Sequence, residues 1–512
     1  WAETSYKLAN IWNQFQIVTT YNTEIDYLPV SGTLTLNGNI RPLGTPTVEI
    51  MPEGNLNVLG TAPFNTKQFI LRPQIQSYVV TTYNKPYYSQ LINEYDAITA
   101  QSAKIDMSVY GNRWYYFSFP FDVAMVDITI DEDAYYVFRY YDGESRATVG
   151  AGSSWKNVGL SDTLRAGTGY IFQCNKNVNH LVLPATGTSK NRLFASTAQA
   201  VALNAYPAEN AANQNWNLAG NPFPSYYDIR CLDYTAPITY WNDYYSRYEA
   251  VSPVDDAFLL HPMQAFFVQK PADLNAITFT PEGRQTSPDP QTRSALRSAS
   301  SLSRTLINLT LSDENFSDKS RIVLNPDAQL AYEMERDAAK FMSTAPEAPQ
   351  LYSIGQADVH YAINERPTGD GIVPLGFYTG NAGNYTLALK EQVEDYEILL
   401  KDKDLNVITD LQAENYPFNA GAGTFDNRFE LKITKTGTNV TGYSAPENQN
   451  TIVYAAKGAI VVENGIGAIA VYTINGAKLA VVNASGTQNT IPAPQGIYIV
   501  KVNGKVYKTV VL

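Results

Sequence analysis

Cysteine is almost missing from this chain: Cys174 and Cys231 are the only two. A single pair builds neither a disulfide framework nor a four-ligand zinc site. Both lie in apolar, strand-like stretches, which reads as two buried thiols or as one bond between them. Histidine is as scarce. His180, His261 and His360 each stand alone in an apolar run, with no HExxH and no closely spaced ligand pair, so each reads as a strand residue. No GxSxG elbow anchors a nucleophilic triad. Cations are in deficit, 37 Lys plus Arg against 49 Asp plus Glu, for a formal charge of -12. That balance argues against binding a phosphate backbone, which needs clustered cations to release counterions. No apolar run approaches the roughly eighteen residues of a membrane helix. No charged-then-apolar leader opens the chain, so the numbering from Trp1 is expected to describe a mature or truncated form.

What is present favours strands. Tyr, at 36, outnumbers Phe (20) and Trp (6) together, and hydrophobic residues make up 44% of the 512. Tyr with Thr, Val and Ile suits a pleated, half-buried surface. A chain of this length exceeds one core, and three to four domains are expected. Residues 1–110 alternate in short runs such as SGTLTLNGNI and TVEIMPEGNLNVLG, which predicts a sheet edge or the end of a β-solenoid. The stretch 88–102 (YSQLINEYDAITAQS) has a composition that suits a helix.

An internal repeat follows, within 111–283. Trp114 to Pro120-Phe121 is echoed by Trp216 to Pro222-Phe223 at the same spacing. Asp127-Ile128 is matched to Asp228-Ile229, and Tyr140-Tyr141 to Tyr244-Tyr245. Ser145-Arg146 is matched to Ser246-Arg247, and Leu164…Tyr170-Ile-Phe-Gln173 to Leu260…Phe266-Phe-Val-Gln269. The pattern predicts two copies of one β unit, about 112–188 and 214–285, each opening on a Trp that buries a large ring. Pro-rich, Ser/Arg-rich 284–304 reads as a linker. Residues 305–435 alternate again and predict an antiparallel sandwich of eight or so strands, jelly-roll-like. Within it, 327–341 (DAQLAYEMERDAAKF) suits either a helix or an irregular crossover. A second linker, 436–449, leads to a small terminal sandwich, 450–512. There Asn475-Gly476 and Asn503-Gly504 each sit between apolar runs, the signature of a type I′ hairpin. The fold expected is all-β, with several β-sandwich domains in tandem.

Two resemblances rest on these residues. Val471-Tyr472-Thr473-Ile474-Asn475-Gly476 and Gly496-Ile497-Tyr498-Ile499-Val500-Lys501-Val502 resemble the C-terminal sorting domain of proteins exported by the Bacteroidetes type IX secretion system. The tandem, with Trp114 to Phe121, Trp216 to Pro222 and Pro262 to Val268, resembles paired Trp modules of secreted Bacteroidetes surface proteins. Together they imply export, then release or attachment at the outer-membrane surface, with 450–512 read by the secretion machinery.

Chemistry is sparse. Gly465-Ile-Gly467-Ala-Ile-Ala470 imitates a dinucleotide fingerprint, but a strand-like AVYTI follows where a helix is required. Asp402-Lys-Asp404-Leu-Asn406 imitates a calcium loop with Val407 where Gly is needed, so a hairpin turn is expected. Asp127, Asp131, Glu132 and Asp133 form an acidic cluster that reads as a solvated loop or a calcium site; no other cofactor is expected. Tyr140, Tyr141, Trp155, Trp241, Tyr244 and Tyr245 fall near turns of the repeats, where flat rings either pack the seam or stack on a sugar or protein partner. The expected function is a secreted structural or adhesive protein, the stalk and export region of something displayed upstream, without catalysis. The alternatives are a carbohydrate-binding surface protein whose partners are host or dietary glycans, and a glycoside-active enzyme with paired carboxylates.

Overall fold

Alternating apolar and polar residues send successive side chains to opposite sheet faces, and the computed structural model is built of strands almost throughout. It describes residues 24–38, 41–75, 87–150, 154–242, 247–288, 304–343, 345–368, 371–436, 451–456, 458–464, 468–484, 488–502 and 505–511. The chain divides into two compact units, Trp1–Thr436 and Gly437–Leu512. The expected all-β class holds. Gly143–Val149 is the one α-helix among the described residues; Asp142 Oδ1 caps it by accepting from the backbone N–H of Glu144 and Ser145.

The N-terminal region is a stack of parallel coils, the solenoid of the two alternatives that the sequence left open. Tyr27–Val30, Thr47–Ile50, Phe64–Leu71 and Ile98–Val109 run parallel in one sheet, and Thr33–Asn37, Asn55–Leu59 and Gln90–Asn93 in a second. Inside, Val30, Ile50, Leu71 and Ile105 stack in register as a fully covered column. At the Pro52-Glu53-Gly54 turn Glu53 takes φ +65°, and a Cβ on Gly54 would lie 2.1 Å from the Val30 carbonyl oxygen. The helix suited to 88–102 is absent. Gln90–Asn93 and the start of Ile98–Val109 are strands, because Leu91 and Ile98 pair with the preceding coil and are buried against it. Strand Val178–Pro184 then pairs antiparallel with Ile98–Val109 and carries the column on from Ile105 to Leu183.

The two copies share one strand order. In each, a lead strand (Tyr115–Ser118; Trp216–Gly220) pairs with a return strand (Gly169–Cys174; Ala265–Gln269). The return strand pairs with a tyrosine strand (Tyr136–Tyr141; Ile238–Asn242), and that with an edge strand (Trp155–Asn157; Arg247–Val251). The register corrects three of the sequence equivalences: Arg146 lies in the helix, whereas Arg247 lies opposite Asn242 on the edge strand and so matches Ser154, not Arg146. Arg139 lies opposite Ile171 as Thr239 lies opposite Phe267, so Tyr140-Tyr141 corresponds to Tyr240-Trp241 and not to Tyr244-Tyr245, which lie outside the described residues. The turn Met125–Asp127 likewise matches Ile229–Cys231, not Asp228-Ile229, because the loops between landmarks differ in length. Trp216 is buried as expected. Trp114 is only half-buried, with the Arg139 guanidinium 4.6 Å above its ring.

A pseudo-two-fold axis relates the copies. The Ser118 N–H donates to the Met263 carbonyl at 2.8 Å, and the equivalent Gly220 N–H donates to the Gly167 carbonyl at 2.8 Å. Gly167 and Met263, themselves equivalent, both hold positive φ, +77° and +59°. Ser118 and Gly220 face each other on the axis: a Cβ at Gly220 would lie 2.0 Å from Ser118 Cβ.

Residues 305–435 form one eleven-stranded sheet rather than the eight or so strands expected, and Ser317–Leu324 pairs with His360–Arg366 in parallel. The sheet curls until its ends meet, where the Tyr416 hydroxyl donates to Asp402 Oδ2 at 2.9 Å over a core of Leu309, Phe377, Leu400, Phe418 and Phe429. Segment 327–341 is the irregular crossover, not a helix. Asp402 to Val407 is the expected hairpin turn.

The unit Gly437–Leu512 is a two-sheet sandwich, with three strands facing four around Ile460, Val462, Val471, Ile491 and Val500. Its first Asn-Gly turn differs from type I′. Only Gly476 has positive φ (+84°), its N–H donates to the Thr473 carbonyl, and a bulge follows at Val471/Tyr472: a type I turn with a left-handed glycine. Asn503-Gly504 lies outside the described residues, although the strands on either side pair up to Val502 and Lys505. Ala468–Thr473 is a strand, as the rejection of a dinucleotide site requires.

The axis makes a direct prediction. Gly220→Ala should lower stability by at least about 2 kcal/mol through overpacking, and adding Ser118→Gly should recover much of it. Equal urea midpoints for Gly220→Ala and the parent protein would contradict the close approach.

Candidate functional site

Chemistry-bearing residues concentrate in two seams, both in the larger unit. The first is aromatic and lies across the pseudo-two-fold. Residues paired across the sheet share a face: Tyr141 lies opposite Trp155, and Arg139, on the same face as Tyr141, lies in line with Ile171 and Tyr116, so Tyr141, Trp155 and Tyr116 meet Trp241, Tyr248 and Phe267 of the second copy. Tyr141 lies edge-on to Trp155 at 5.3 Å and to Phe267 at 4.9 Å; Trp241 lies edge-on to Tyr248 at 5.0 Å and stacks on Tyr116 at 6.0 Å. The Tyr116 and Tyr248 hydroxyls are 2.5 Å apart. Edge-to-face pairs add about 0.5–1.5 kcal/mol each beyond their buried area. Arg146 closes the end of the seam, its guanidinium 4.8 Å over Trp216 and 4.4 Å over Phe341 while donating to the Tyr141 hydroxyl.

Of the six proposed contact residues, Tyr141, Trp155 and Trp241 come together in one cluster, Tyr141 against Trp155 and Trp241 against Tyr116 and Tyr248. Tyr140 points the other way and is 39% exposed. Of the residues that complete the seam, Tyr116 and Phe267 lie inside the repeat motifs, while Tyr248 and Phe341 carried no sequence signal.

The second seam is ionic and joins the second copy to the curled sheet. Glu249 accepts from Arg247 at 2.6 Å and from Lys319. Asp256 takes both Arg321 Nη1 and Nη2 at 2.8 Å, and Arg304 bridges Asp255 and Glu365 at 2.5 Å each. Lys340 and Asp318, both buried, pair directly, and Asp318 also accepts from the Leu351 N–H at 2.7 Å. Burial pulls the Lys340 ammonium below its ordinary value, with Asp318 opposing it. Burial would raise the Glu249 carboxyl, yet Lys319 and Arg247 outweigh it and hold it below its usual range. Among the described residues no cation pairs with Asp337. Burial raises its carboxyl to about 8, against two backbone donors, the N–H of Glu365 and of Glu333.

The remaining sequence candidates are placed singly. His180 Nδ1 lies 3.0 Å from Asp106, which also takes Arg72 at 2.7 Å. His261 Nδ1 lies 3.1 Å from the Tyr88 hydroxyl, and His360 stacks on Tyr352 at 4.0 Å. No disulfide joins Cys174, which is buried, and Cys231, which is half-buried, so the reading as two thiols holds. In the acidic cluster Asp131 accepts from the Asn179 N–H, while Asp127, Glu132 and Asp133 are exposed. No group of three or more His, Cys, Asp or Glu among the described residues is arranged to hold a metal. No helix among them is long and apolar enough to cross a membrane.

These features define an all-β protein in which a capped solenoid, a fused pair of β units and a curled sheet share one compact body. Residues 233–433, less than half of the chain, match a family described as a domain of unknown function, DUF8693. That segment cuts through the second copy and holds both sides of the ionic seam, from Arg247 to Glu365. No curated protein matches the chain.

Two outcomes test the ionic seam. Lys340→Met leaves buried Asp318 with only the more distant Arg247, 3.8 Å away, and should cost about 3–5 kcal/mol, whereas Lys340→Met with Asp318→Leu should cost much less. Equal losses in the single and double variants, read from denaturation curves, would refute the pairing. Asp337 adds a pH dependence. The folded protein keeps a proton up to about 8 that the unfolded chain releases near 3.8, so stability should fall as pH rises between those values. Asp337→Asn should flatten that slope, and an unchanged slope would place the proton elsewhere.

Proposed function

We propose that this chain is a secreted or cell-surface structural and adhesive protein of the Bacteroidetes, a non-catalytic scaffold whose C-terminal unit is its export signal. One observation carries the reading. The residues that resemble a type IX sorting domain close as a compact unit of their own, with a separate two-sheet core. A signal that is read by export machinery, and detached or kept afterwards, needs such autonomy, whereas a strand woven into the main body could not be read apart from it.

The larger unit fits a scaffold role for a second physical reason. Its buried carboxylates and cations are largely spent on one another across a packed seam, and three of its four described candidate aromatics are spent on the pseudo-two-fold. Host or dietary glycans and surface proteins are the partners this reading expects outside the secretion machinery.

Export is the test. Removing 450–512 should leave the protein in the periplasm of a Bacteroidetes host with an active type IX system, and fusing 437–512 to a periplasmic reporter should carry the reporter to the surface or the medium. Normal surface display of the truncated protein, followed by cell fractionation and immunoblotting, would end the proposal.

A further inference from the structure

The acidic balance of the chain reverses in its last unit. Residues 437–512 hold five Lys and no Arg against two Glu, a net charge of +3 in a chain of -12. No Asp or Glu follows Glu463, so the four-stranded sheet of this unit carries no carboxylate. Register fixes what its outer face presents. Ala470 pairs with Val481 on one side and Lys501 on the other, and Lys501 pairs with Val506, which makes one row across the sheet. Tyr472 pairs with Lys478 and Ile499, and Ile499 with Lys508, which makes a second row; Ile497 opposite Val510 begins a third. The alternate rows, such as Val471 opposite Val500, point into the core. Val481, Val506 and Val510 are each about half exposed, and Lys478, Lys501 and Lys508 are exposed beside them.

Two properties of this face limit what covers it. Aliphatic and cationic side chains are interspersed on it, and lysine stems lie over apolar surface while their ammonium groups reach outward. A second copy of the face is a poor occupant, because lysine would be set against lysine. Lysines on edge strands, as Lys478 and Lys508 are, also deter strand pairing. Lys501 is different: it stands on Gly496–Val502, which is paired on both sides, so there is no edge to guard. Glu463, the one carboxylate among the described residues of the unit, lies on the outer face of the opposite sheet, where the Tyr454 hydroxyl donates to it at 2.8 Å. The positive face therefore meets no acid of its own sandwich. Its backbone is already hydrogen-bonded between strands, so laying it flat on an apolar boundary leaves few polar groups unpaired.

We propose that this face docks flat on a lipid membrane surface bearing anionic phosphate head groups, with its aliphatic side chains at the head-group boundary and its lysine ammonium groups on the phosphates. Binding of this kind grows with apolar contact and with electrostatic attraction to anionic lipid, and the face supplies both. The proposal adds a membrane contact to the unit that the export reading sets apart, and rests on that reading only for where such a surface is met. Binding is read in vitro on the full chain, so its failure leaves the export experiment untouched.

Co-sedimentation of the full chain with lipid vesicles tests it. The protein should pellet with equimolar phosphatidylcholine and phosphatidylglycerol and stay in solution with phosphatidylcholine alone. A lysine near an anionic leaflet strengthens binding about fivefold, so Lys501→Gln with Lys508→Gln should raise the lipid concentration for half-binding about twenty-five-fold. Val481→Thr with Val506→Thr keeps the β-branched shape and should weaken binding about tenfold through lost apolar contact. All four side chains are exposed, so the unfolding midpoint should stay where it is. Ile372→Thr, at an exposed aliphatic position of the larger unit, should leave binding unchanged. No pelleting with the mixed vesicles, equal pelleting with phosphatidylcholine alone, or full binding by either double variant would overturn the assignment. So would capture by soluble polyglutamate without vesicle binding, which would mark an acidic protein as the occupant.

Discussion

A stack of parallel coils cannot finish by itself, because each coil leaves a row of unpaired backbone N–H and C=O groups for the next. Strand Val178–Pro184 answers that demand by pairing antiparallel with Ile98–Val109 and extending the same aliphatic column. The strand belongs to the first β unit, so the solenoid and that unit share one hydrophobic core, from Val30 to Met263. Each later part of the larger unit is attached by the same need to cover an edge or a face: the second copy across the pseudo-two-fold, the curled sheet across the ionic seam.

The two joints differ in kind. The pseudo-two-fold is held by backbone hydrogen bonds and interlocked rings, whose favourable energy comes with little desolvation of charge. The ionic seam removes several charges from water, and such pairs often do no better than a hydrophobic replacement would. What charge pairs supply is register, since Arg304 must find both Asp255 and Glu365, and Arg321 must grip Asp256 with both nitrogens. The family match spans this joint and begins inside the second copy.

Strand content, the solenoid and the duplication were legible because period-two alternation and the fixed Trp-to-Pro spacing are local signals. What failed was also local. Residues 88–102 carry helix-compatible Gln, Asn, Glu and Ala, yet pairing with the previous coil dictates strand, and pairing partners lie some thirty residues away. The tyrosine pairs were misaligned because a turn of different length separates equivalent strand positions, and only register shows Trp241 to be the equivalent of Tyr141. The ionic seam gave no sequence signal at all. Arg247, Glu249, Asp318 and Lys319 look like the solvated face of ordinary edge strands, and nothing in a single strand says that another will cover it. Asp402, read as a turn residue, does hold its turn, but it is also buried against Arg428 and Tyr416.

Ser118 opposite Gly220 has a historical consequence. Two separate, identical subunits meeting on this axis would have to carry the same residue twice, and in this geometry two serines cannot both fit. Joining the halves into one polypeptide lifts that restriction, since each side can then mutate without the other. An unequal pair at the centre of symmetry is therefore a mark that linkage came before divergence, and it would be lost in any attempt to rebuild the protein from one averaged module.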